Sequence, residues 1–450
     1  MTGPTQALCE FASGVEYQQI PNDVREVGTR MITDTVGVAL AAGDSDVEAT
    51  LRQGFEAPGD RYGVPGGQSV GDIRAAALYT GTLAHALDFD DVHEGMGGHP
   101  SAPVLGALLP LADREAASGR ELLVALLAGA EVEITLAEAM NPGHYERGWH
   151  PTAIVGTIGA AIGAGQLLGL TSEELQRAVG IAASEAAGIK ANFGTMTKPL
   201  HAGNAARAGI EAADLADAGY TASMDSLERP FGGLCDLFKG DTEPNLEELV
   251  SDVGDPWAVV DPRIWFKAYP CCGSVQSAVD AGLELREVTE PDAIQAITVT
   301  EHPRRLDHTD TPSPTTGLDA KFSVQYCLAA ALIDGEITID HFRDGAVPRD
   351  DIQTLADRVQ LDRDTDAFAD RAYGASVTLQ TDSGTTHTRM VDAPPGSAGN
   401  PLTTEQFEKK FRDCARRSLD EQAVDEAWGQ LSDLEHVEDM GTLVATIAGG

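Results

Sequence analysis

The strongest constraint on the fold is a mostly apolar stretch without charged residues at residues 151–169, "PTAIVGTIGAAIGAGQLLG", which only Thr152, Thr157 and Gln166 interrupt. If this stretch is helical, apolar side chains point away from the axis in every direction, so other elements must enclose it. Its many Gly and Ala residues let neighbouring helices pack closely. The stretch therefore predicts a buried central helix in a large helical core.

The rhythm of apolar residues predicts a second, smaller region. Helical spacing dominates the first 265 residues, whereas "IQAITVTEH" from residue 294 alternates and is β-branched. "ASVTLQT" and "TTHTRMV", joined through Asp382-Ser383-Gly384, predict a hairpin. We predict a mainly α protein with a smaller α+β domain: residues 1–265 and 400–450 form the helical domain, and residues 266–399 form the inserted α+β domain.

The charge balance limits the partners that this chain can bind. The chain has 71 acidic and 31 basic residues, a net charge of −40. Nucleic acid is not expected as a partner, because its phosphates require Lys and Arg. The acidic residues are spread along the chain, which favours adaptation to high salt, where a Debye length of ~3 Å at about 1 M screens self-repulsion. We expect a halophilic protein.

The sequence also limits where the protein acts. The N-terminal "MTGPTQALCEFASG" is not a secretory signal, and no run of 18 or more uncharged apolar residues predicts a membrane span. The six cysteines form no CxxC pair, which argues against a structural zinc site and fits a reducing compartment. We expect a cytoplasmic protein without a membrane partner.

One segment concentrates groups that carry chemistry. "HALDFDDVHEGMGGHP", residues 85–100, holds three histidines and three aspartates. It could be a metal site, an acid–base site or the solvated end of a helix. The spacing matches no compact metal-ligand motif, so the metal interpretation is the weakest. Asp90, Asp91 and His93 are expected to form a polar turn at the helix end.

Three potentially cationic residues directly precede a proline that can start a helix. They are His99, His150 and Lys198. Helix N-termini attract carboxylates, so three converging ends would bind a substrate with several carboxylates. Lysine is informative, because the chain has only seven. Lys267, near the expected domain junction, is either a ligand-binding lysine or a surface lysine beside a core anchor.

These segments together resemble the MmgE/PrpD family of cofactor-independent enzymes. The resemblance spans nearly the whole chain, and its motifs are "HALDFDDVHEGMGGHPSAPVLGALL", "GWHPTAIVGTIGAA", "GTMTKPLHAGNAARAG", "KAYPCCGSVQSA" and "KFSVQYCLAAALIDG". It implies a large helical domain, a small α+β domain and a homodimer with the active site between domains. It also implies a small polycarboxylate substrate, no cofactor and no metal.

The resemblance assigns roles to individual residues. The catalytic residues it implies are His99, His150, Asp88, Lys198 and Lys267. The substrate-binding residues are Lys198, His201, Lys267, Cys272 and His93. We expect proton removal α to a carboxylate, with His99 as first choice for the acid/base and His150 as second. Cations would stabilise the resulting carbanion.

Some positions depart from the decarboxylase members of the family. Cys272 stands where they carry a histidine, and Val92 where they carry a threonine; the Asp88–His99 spacing is one residue longer. These differences argue against a cis-aconitate decarboxylase, and dehydration of a 2-methylcitrate-like substrate is expected first. Decarboxylation of cis-aconitate and epimerisation of iminodisuccinate are the alternatives. A protein of another class, which binds polycarboxylates without catalysis, would need the lysines but no acid/base pair around His99.

Overall fold

The computed structural model describes residues 3–67, 69–241, 243, 246–261, 263–343, 345–347, 349–366, 368 and 373–449. The chain forms two compact units. The first comprises Met1–Ala86, Asp90–Ile264 and Gln406–Gly450, and the second comprises Leu87–Phe89 and Trp265–Glu405. The predicted fold class is confirmed, because the chain is mainly α-helical and has a small mixed sheet in addition.

The first unit is helical along its N-terminal part. Its helices are α1 (Pro4–Gly14), α2 (Asn22–Ala41), α3 (Asp46–Gly54), α4 (Ile73–Ala86), α5 (Ser101–Glu115), α6 (Gly119–Met140), α7 (Gly143–Glu146), α8 (Pro151–Leu167), α9 (Ser172–Glu185), α10 (Thr197–Asp217), α11 (Leu234–Phe238) and α12 (Leu246–Ser251). Short 3₁₀ turns occupy Tyr17–Gln19 and Lys190–Asn192. A capping box of Thr171 and Glu174 starts α9, as the sequence predicts.

Helix α8 confirms the prediction of a buried central helix. Every residue from Pro151 to Gly165 is buried, and α5, α6, α9 and α10 pack around it. Small residues make this possible: a Cβ built on Gly129 of α6 would lie 2.5 Å from the Gly159 carbonyl oxygen of α8. Such a contact is far shorter than van der Waals distance, so the two helices require glycine here.

The second unit combines helices with one sheet. Its elements are α13 (Gln276–Arg286), β1 (Ile294–Glu301), α14 (Pro303–Leu306), α15 (Gly317–Ala320), α16 (Val324–Asp334), α17 (Asp350–Ala356), β2 (Val359–Arg363), β3 (Ala375–Thr381) and β4 (Thr386–Val391), with 3₁₀ turns at Gly273–Val275, Pro291–Ala293 and Ile339–Phe342. Helix α13 packs on the sheet and on α16.

The sheet has strand order β2-β1-β3-β4. The predicted hairpin is confirmed: β3 and β4 are antiparallel, with Val377 opposite Arg389. Gly384 in its turn has a φ of 81°, which suits glycine. Strand β2, which pairs parallel to β1, was not predicted. Its sequence, VQLDR, is short and half polar, so it resembles a loop.

The chain returns to the first unit at its C-terminal end. The helices there are α18 (Thr404–Ala415), α19 (Glu421–Ser432) and α20 (Gly441–Ile447), with a 3₁₀ turn at Leu434–His436. Within this unit, α19 packs on α2 and α20 packs on α5. Across the described ranges, every helix is too short or too polar to cross a bilayer.

Candidate active site

A tight turn brings two histidines of the opening motif together. His85 lies in the last turn of α4, and His99 lies just before α5. The chain folds back between them, because the His93 N–H donates to the Gly98 carbonyl over 3.0 Å. The ring centroids of His85 and His99 are consequently 4.4 Å apart.

The start of α8 fixes the backbone of His99. The Thr152 hydroxyl, in the first turn of α8, accepts a hydrogen bond of 3.0 Å from the His99 N–H. A Cβ at neighbouring Gly98 would lie 3.1 Å from the Thr152 backbone nitrogen, so only a small residue allows this approach. The central helix thereby sets the position of the histidine favoured as acid/base.

Asp90 is the carboxylate that these two histidines share. Its Oδ2 atom lies 2.8 Å from His85 Nδ1 and 3.3 Å from His99 Nδ1. The side chain is fully buried. Burial raises the pKa of Asp90, but its interactions with His85 and His99 outweigh burial and hold the pKa well below its usual range. Asp90 is therefore an ionised carboxylate in the core of the first unit.

Two further histidines continue this cluster. The ring of His150 stacks on that of His85 with centroids 5.7 Å apart, and His150 Nδ1 lies 3.1 Å from His201 Nδ1. Burial lowers the pKa of His85 to about 3 and that of His150 well below its usual value; burial and Lys198 also lower the pKa of His201. At neutral pH these three rings are uncharged hydrogen-bonding groups.

Lys198 supplies a fixed positive charge to the same unit. Its side chain is buried, and its Nζ lies 5.3 Å from the centroid of the Phe193 ring. That ring in turn contacts His150, with centroids 5.0 Å apart. Lys198 and His150 thus border the same aromatic side chain.

The three expected helix starts differ in detail. Pro151 is the first residue of α8 and His150 is its N-cap, as predicted. Pro100 is itself the N-cap of α5, with an αR backbone. Helix α10 already begins at Thr197, so Lys198 lies inside its first turn, and the expectation that Pro199 starts this helix was wrong. The sequence cannot reveal this shift, because proline is accepted throughout the first helical turn.

The predicted polar turn at Asp90, Asp91 and His93 is not solvated. All three side chains are buried, and Asp91 accepts hydrogen bonds from the hydroxyl and backbone N–H of Ser101. Both ring nitrogens of His93 face backbone groups: Nε2 lies 3.0 Å from the Ala258 oxygen, and Nδ1 accepts from Met96 N–H. His93 therefore fixes the loop, and we leave it out of the proposed site.

The second unit contains its own buried charge cluster. Lys267 Nζ lies 3.1 Å from Asp88 Oδ1 and donates to the Asp88 backbone oxygen over 2.7 Å. Lys321 Nζ donates to the backbone oxygens of Leu87 and Pro270. Cys272, five residues beyond Lys267, is also buried. Asp88, Lys267 and Cys272 were predicted as site residues.

Sequence reasoning missed three residues of these clusters. Asp90 was assigned to a polar turn, His85 to ordinary core packing, and Lys321 to no role. A signal existed for Asp90 and His85, because a histidine and an aspartate five residues apart can meet across the end of a helix. For Lys321 the signal was a lysine at the start of an apolar segment in a lysine-poor chain.

The same side chains must be considered as metal ligands. His85, Asp90 and His99 each offer a ligand atom, and these atoms lie within 4.8 Å of one another. However, the Nδ1 atoms of both histidines face the same oxygen of Asp90. A carboxylate that orients two imidazoles has this same arrangement.

The fold and this cluster define a mainly α protein with a buried group of one carboxylate and several histidines. The chain matches the MmgE/PrpD N-terminal domain over residues 6–247 and the MmgE/PrpD C-terminal domain over residues 269–434. It belongs to the MmgE/PrpD family, which confirms the resemblance seen in the sequence.

Curated relatives with two different activities are similar to this chain. Cis-aconitate decarboxylase from Homo sapiens is 30% identical over 471 residues, covering 99% of this chain and 94% of the relative. Cis-aconitate decarboxylase from Aspergillus terreus is 28% identical, with 98% and 95% covered. 2-Methylcitrate dehydratase from Escherichia coli (strain K12) is 27% identical over 382 residues, 76% of each chain.

Proposed function

We propose that this protein is a lyase that forms a carbanion α to a carboxylate of a small di- or tricarboxylate and moves a proton from or to that carbon. The observation that carries the proposal is the buried, ionised Asp90, which faces the Nδ1 atoms of His85 and His99. A carboxylate in this position orients an imidazole and stabilises the imidazolium that forms when the ring accepts a proton. A protein that only binds carboxylates needs no such group.

His99 is the proposed acid/base. Its Nδ1 faces Asp90, so we assign proton transfer to Nε2. His99 also keeps slight exposure, with 11% of its side chain accessible, whereas the His85 side chain is fully buried. Substrate can therefore reach His99 more easily than His85. His150, which is neutral and buried, is the proposed hydrogen-bond donor to the substrate.

The lysines are proposed to bind the substrate carboxylates. Lys198 brings a positive charge into the histidine cluster. Burial is the main cause of the lowered pKa values of His150 and His201, and the charge of Lys198 lowers both further. Positive charge near the reacting carbon stabilises the enediolate that proton removal produces. Lys267 is proposed as a second carboxylate-binding residue. His201 and Cys272 are proposed to complete the substrate contacts.

Cis-aconitate is the first proposed substrate: loss of CO₂ leaves an electron pair that shifts the double bond, and the His99 imidazolium then donates a proton to the carbon α to a remaining carboxylate. Support comes from the cis-aconitate decarboxylases, which align over almost the whole chain, whereas the dehydratases align over three quarters of it. This changes the order expected from the sequence, in which dehydration came first. Dehydration of 2-methylcitrate is the second candidate, because Val92 and Cys272 depart from the decarboxylase pattern.

Product analysis distinguishes the candidates. Purified protein is incubated separately with cis-aconitate, 2-methylcitrate and iminodisuccinate, and CO₂, unsaturated acids and stereoisomers are measured. The His99→Gln variant serves as the matched control for contaminating enzymes. We expect CO₂ from cis-aconitate with the unmodified protein. Saturable binding of these acids with no turnover of any would contradict the proposal and favour a binding protein.

The reaction is proposed to need no metal or other cofactor. In that case, dialysis against EDTA leaves the turnover rate unchanged, and elemental analysis finds no stoichiometric metal. Loss of activity that one divalent ion restores would instead identify His85, Asp90 and His99 as ligands.

We also propose that the chain forms a homodimer in the cytoplasm. Large apolar side chains on the first unit support this: Phe231 is 94% exposed, Leu237 63% and Tyr220 61%. Tyr220 and Leu237 line the same surface groove. Exposed aromatic groups of this size are typical of association surfaces. Light scattering tests this, and a monomeric mass at every salt concentration would contradict it.

A further inference from the structure

Lys321 is a buried lysine that binds two separate backbone segments. Its side chain is 2% exposed. Nζ donates to the Leu87 oxygen over 2.8 Å and to the Pro270 oxygen over 2.7 Å. The Lys321 backbone oxygen also accepts from Cys272 N–H over 3.0 Å. Both its side chain and its main chain therefore contact the loop that carries Lys267 and Cys272.

The first of these segments has an unusual backbone. Asp88 has a φ of 51°, in the left-handed region that a non-glycine residue rarely adopts. The backbone oxygens of Leu87 and Asp88 each accept a hydrogen bond from a lysine. Lys321 donates to the Leu87 oxygen, and Lys267 donates to the Asp88 oxygen. A strained conformation persists only where the surroundings fix it, and these two ammonium groups do so.

We propose that Lys321 is a positioning residue that ties the Leu87–Phe89 turn to the loop around Pro270, so that Asp88 and Lys267 keep the geometry of their ion pair. The inference rests on the proposed function of Lys267 as a substrate-binding residue. Lys321 does not touch substrate in this account. It acts through Lys267, whose charge must stay at one place to bind a carboxylate.

The contacts of Lys321 support a structural rather than an acid/base role, because it is buried and its Nζ donates to two backbone oxygens. Burial lowers the pKa of Lys321 to about 8. The titratable groups that face it are Asp88, Lys267, Cys271 and Cys327, and the Phe342 ring lies 4.4 Å from Nζ. Below pH 8 the ammonium form donates strongly to both carbonyls. A hydrogen bond from a charged donor to a carbonyl is stronger than one from a neutral amine.

A mutant cycle tests the proposal. Lys321→Met should raise the KM for the substrate by about 10-fold, the scale of one charged hydrogen bond, with a smaller change in kcat. Lys321→Arg, which keeps the charge and several donors, should recover most of the loss. Because Lys321 acts through Lys267, the double variant with Lys267→Met should be no worse than Lys267→Met alone. Additive losses would overturn the proposal.

A buried lysine elsewhere provides the control. Lys410 pairs with Asp34 over 2.6 Å in the first unit. Lys410→Met removes a buried ammonium group in the same way, and should leave the KM of the folded fraction unchanged. An equal rise in KM for Lys410→Met and Lys321→Met would show general destabilisation and overturn the proposal.

Hydrogen exchange gives a readout that needs no substrate. Amide exchange measured by mass spectrometry should accelerate in peptides covering 84–92 and 264–275 for Lys321→Met, less for Lys321→Arg, and not for Lys410→Met. If the protein turned over none of the three acids, the proposed function would fail while this result still stood. Unchanged exchange in both peptides would overturn the positioning role itself.

Discussion

The two buried clusters hold charge in different ways. In the first unit one ionised carboxylate, Asp90, faces imidazoles, and its neighbours His85 and His150 are neutral. In the second unit the lysines Lys267 and Lys321 bind backbone carbonyls and the carboxylate of Asp88. Imidazoles change charge when a proton moves, whereas the ammonium groups of the second unit are hydrogen-bonded to backbone oxygens. From this difference we propose that imidazoles transfer the proton and that lysines bind the substrate carboxylates.

The largest effect is expected where the carboxylate of the first cluster is neutralised. Asp90→Asn keeps the size of the side chain but removes the charge that stabilises the His99 imidazolium. We expect kcat to fall by ~10²-fold or more. Asp91→Asn is the matched control, because burial raises the pKa of Asp91 to about 8 and it is already neutral at pH 7. Equal losses in the two variants would remove the special role of Asp90.

The lysines of the two clusters should differ from each other when they are replaced. Lys198→Met and Lys267→Met should each weaken substrate binding by about 10-fold or more. Lys267→Met also leaves the buried Asp88 carboxylate without its ion-pair partner, so it should lower the free energy of unfolding by about 3–5 kcal/mol. Denaturant titration and calorimetric binding measure the two quantities. Similar losses of unfolding free energy in both variants would show that the ion pair of Lys267 with Asp88 has no special effect on stability.

The contribution of the buried Asp91 side chain to stability should depend on pH. Folded Asp91 keeps its proton up to about pH 8, whereas the unfolded chain releases it near pH 4. The folded state thus binds more protons in this window, and the contribution of Asp91 to stability falls as pH rises. The free energy of unfolding of Asp91→Asn relative to wild type should rise by about 1 kcal/mol per pH unit. A pH-independent difference would show that Asp91 is ionised.

The exposed acidic surface contrasts with both buried clusters. We expect the halophilic character predicted from the net charge of −40 to appear as a higher melting temperature in about 2 M KCl than in about 0.1 M, because salt screens surface repulsion and affects buried pairs much less. Thermal scans with a circular dichroism signal measure this. An unchanged melting temperature would contradict adaptation to salt.

The sequence predicted the elements better than the contacts between them. The all-apolar segment of α8 and the alternating segments of β3 and β4 each have one stable environment, so pattern alone identifies them. Strand β2 was missed because its pairing, not its composition, makes it a strand. Leu87–Phe89 could not be assigned to the second unit from sequence, because this turn is continuous with an apolar helix. The domain boundaries stay a prediction.

The sequence named most residues of the candidate site but did not predict which of them contact one another. His99, His150, Asp88, Lys198 and Lys267 were all named, since these groups suit acid–base chemistry and carboxylate binding. The sequence could not show which partner each aspartate has: Asp90 pairs with His85 and His99, and Asp88 pairs with Lys267. Asp88 also has a positive φ, which nothing in the sequence indicates.

Proton exchange with solvent tests the central claim, that His99 moves the proton. Substrate is incubated in D₂O with wild-type protein and with His99→Gln, which keeps polarity and approximate size but removes the titratable ring. Deuterium uptake at the α-carbon is followed by mass spectrometry, and binding is measured separately. We predict uptake with wild type and none with His99→Gln, while substrate affinity is largely retained. Normal uptake and turnover by His99→Gln would contradict the account and move the base to another residue.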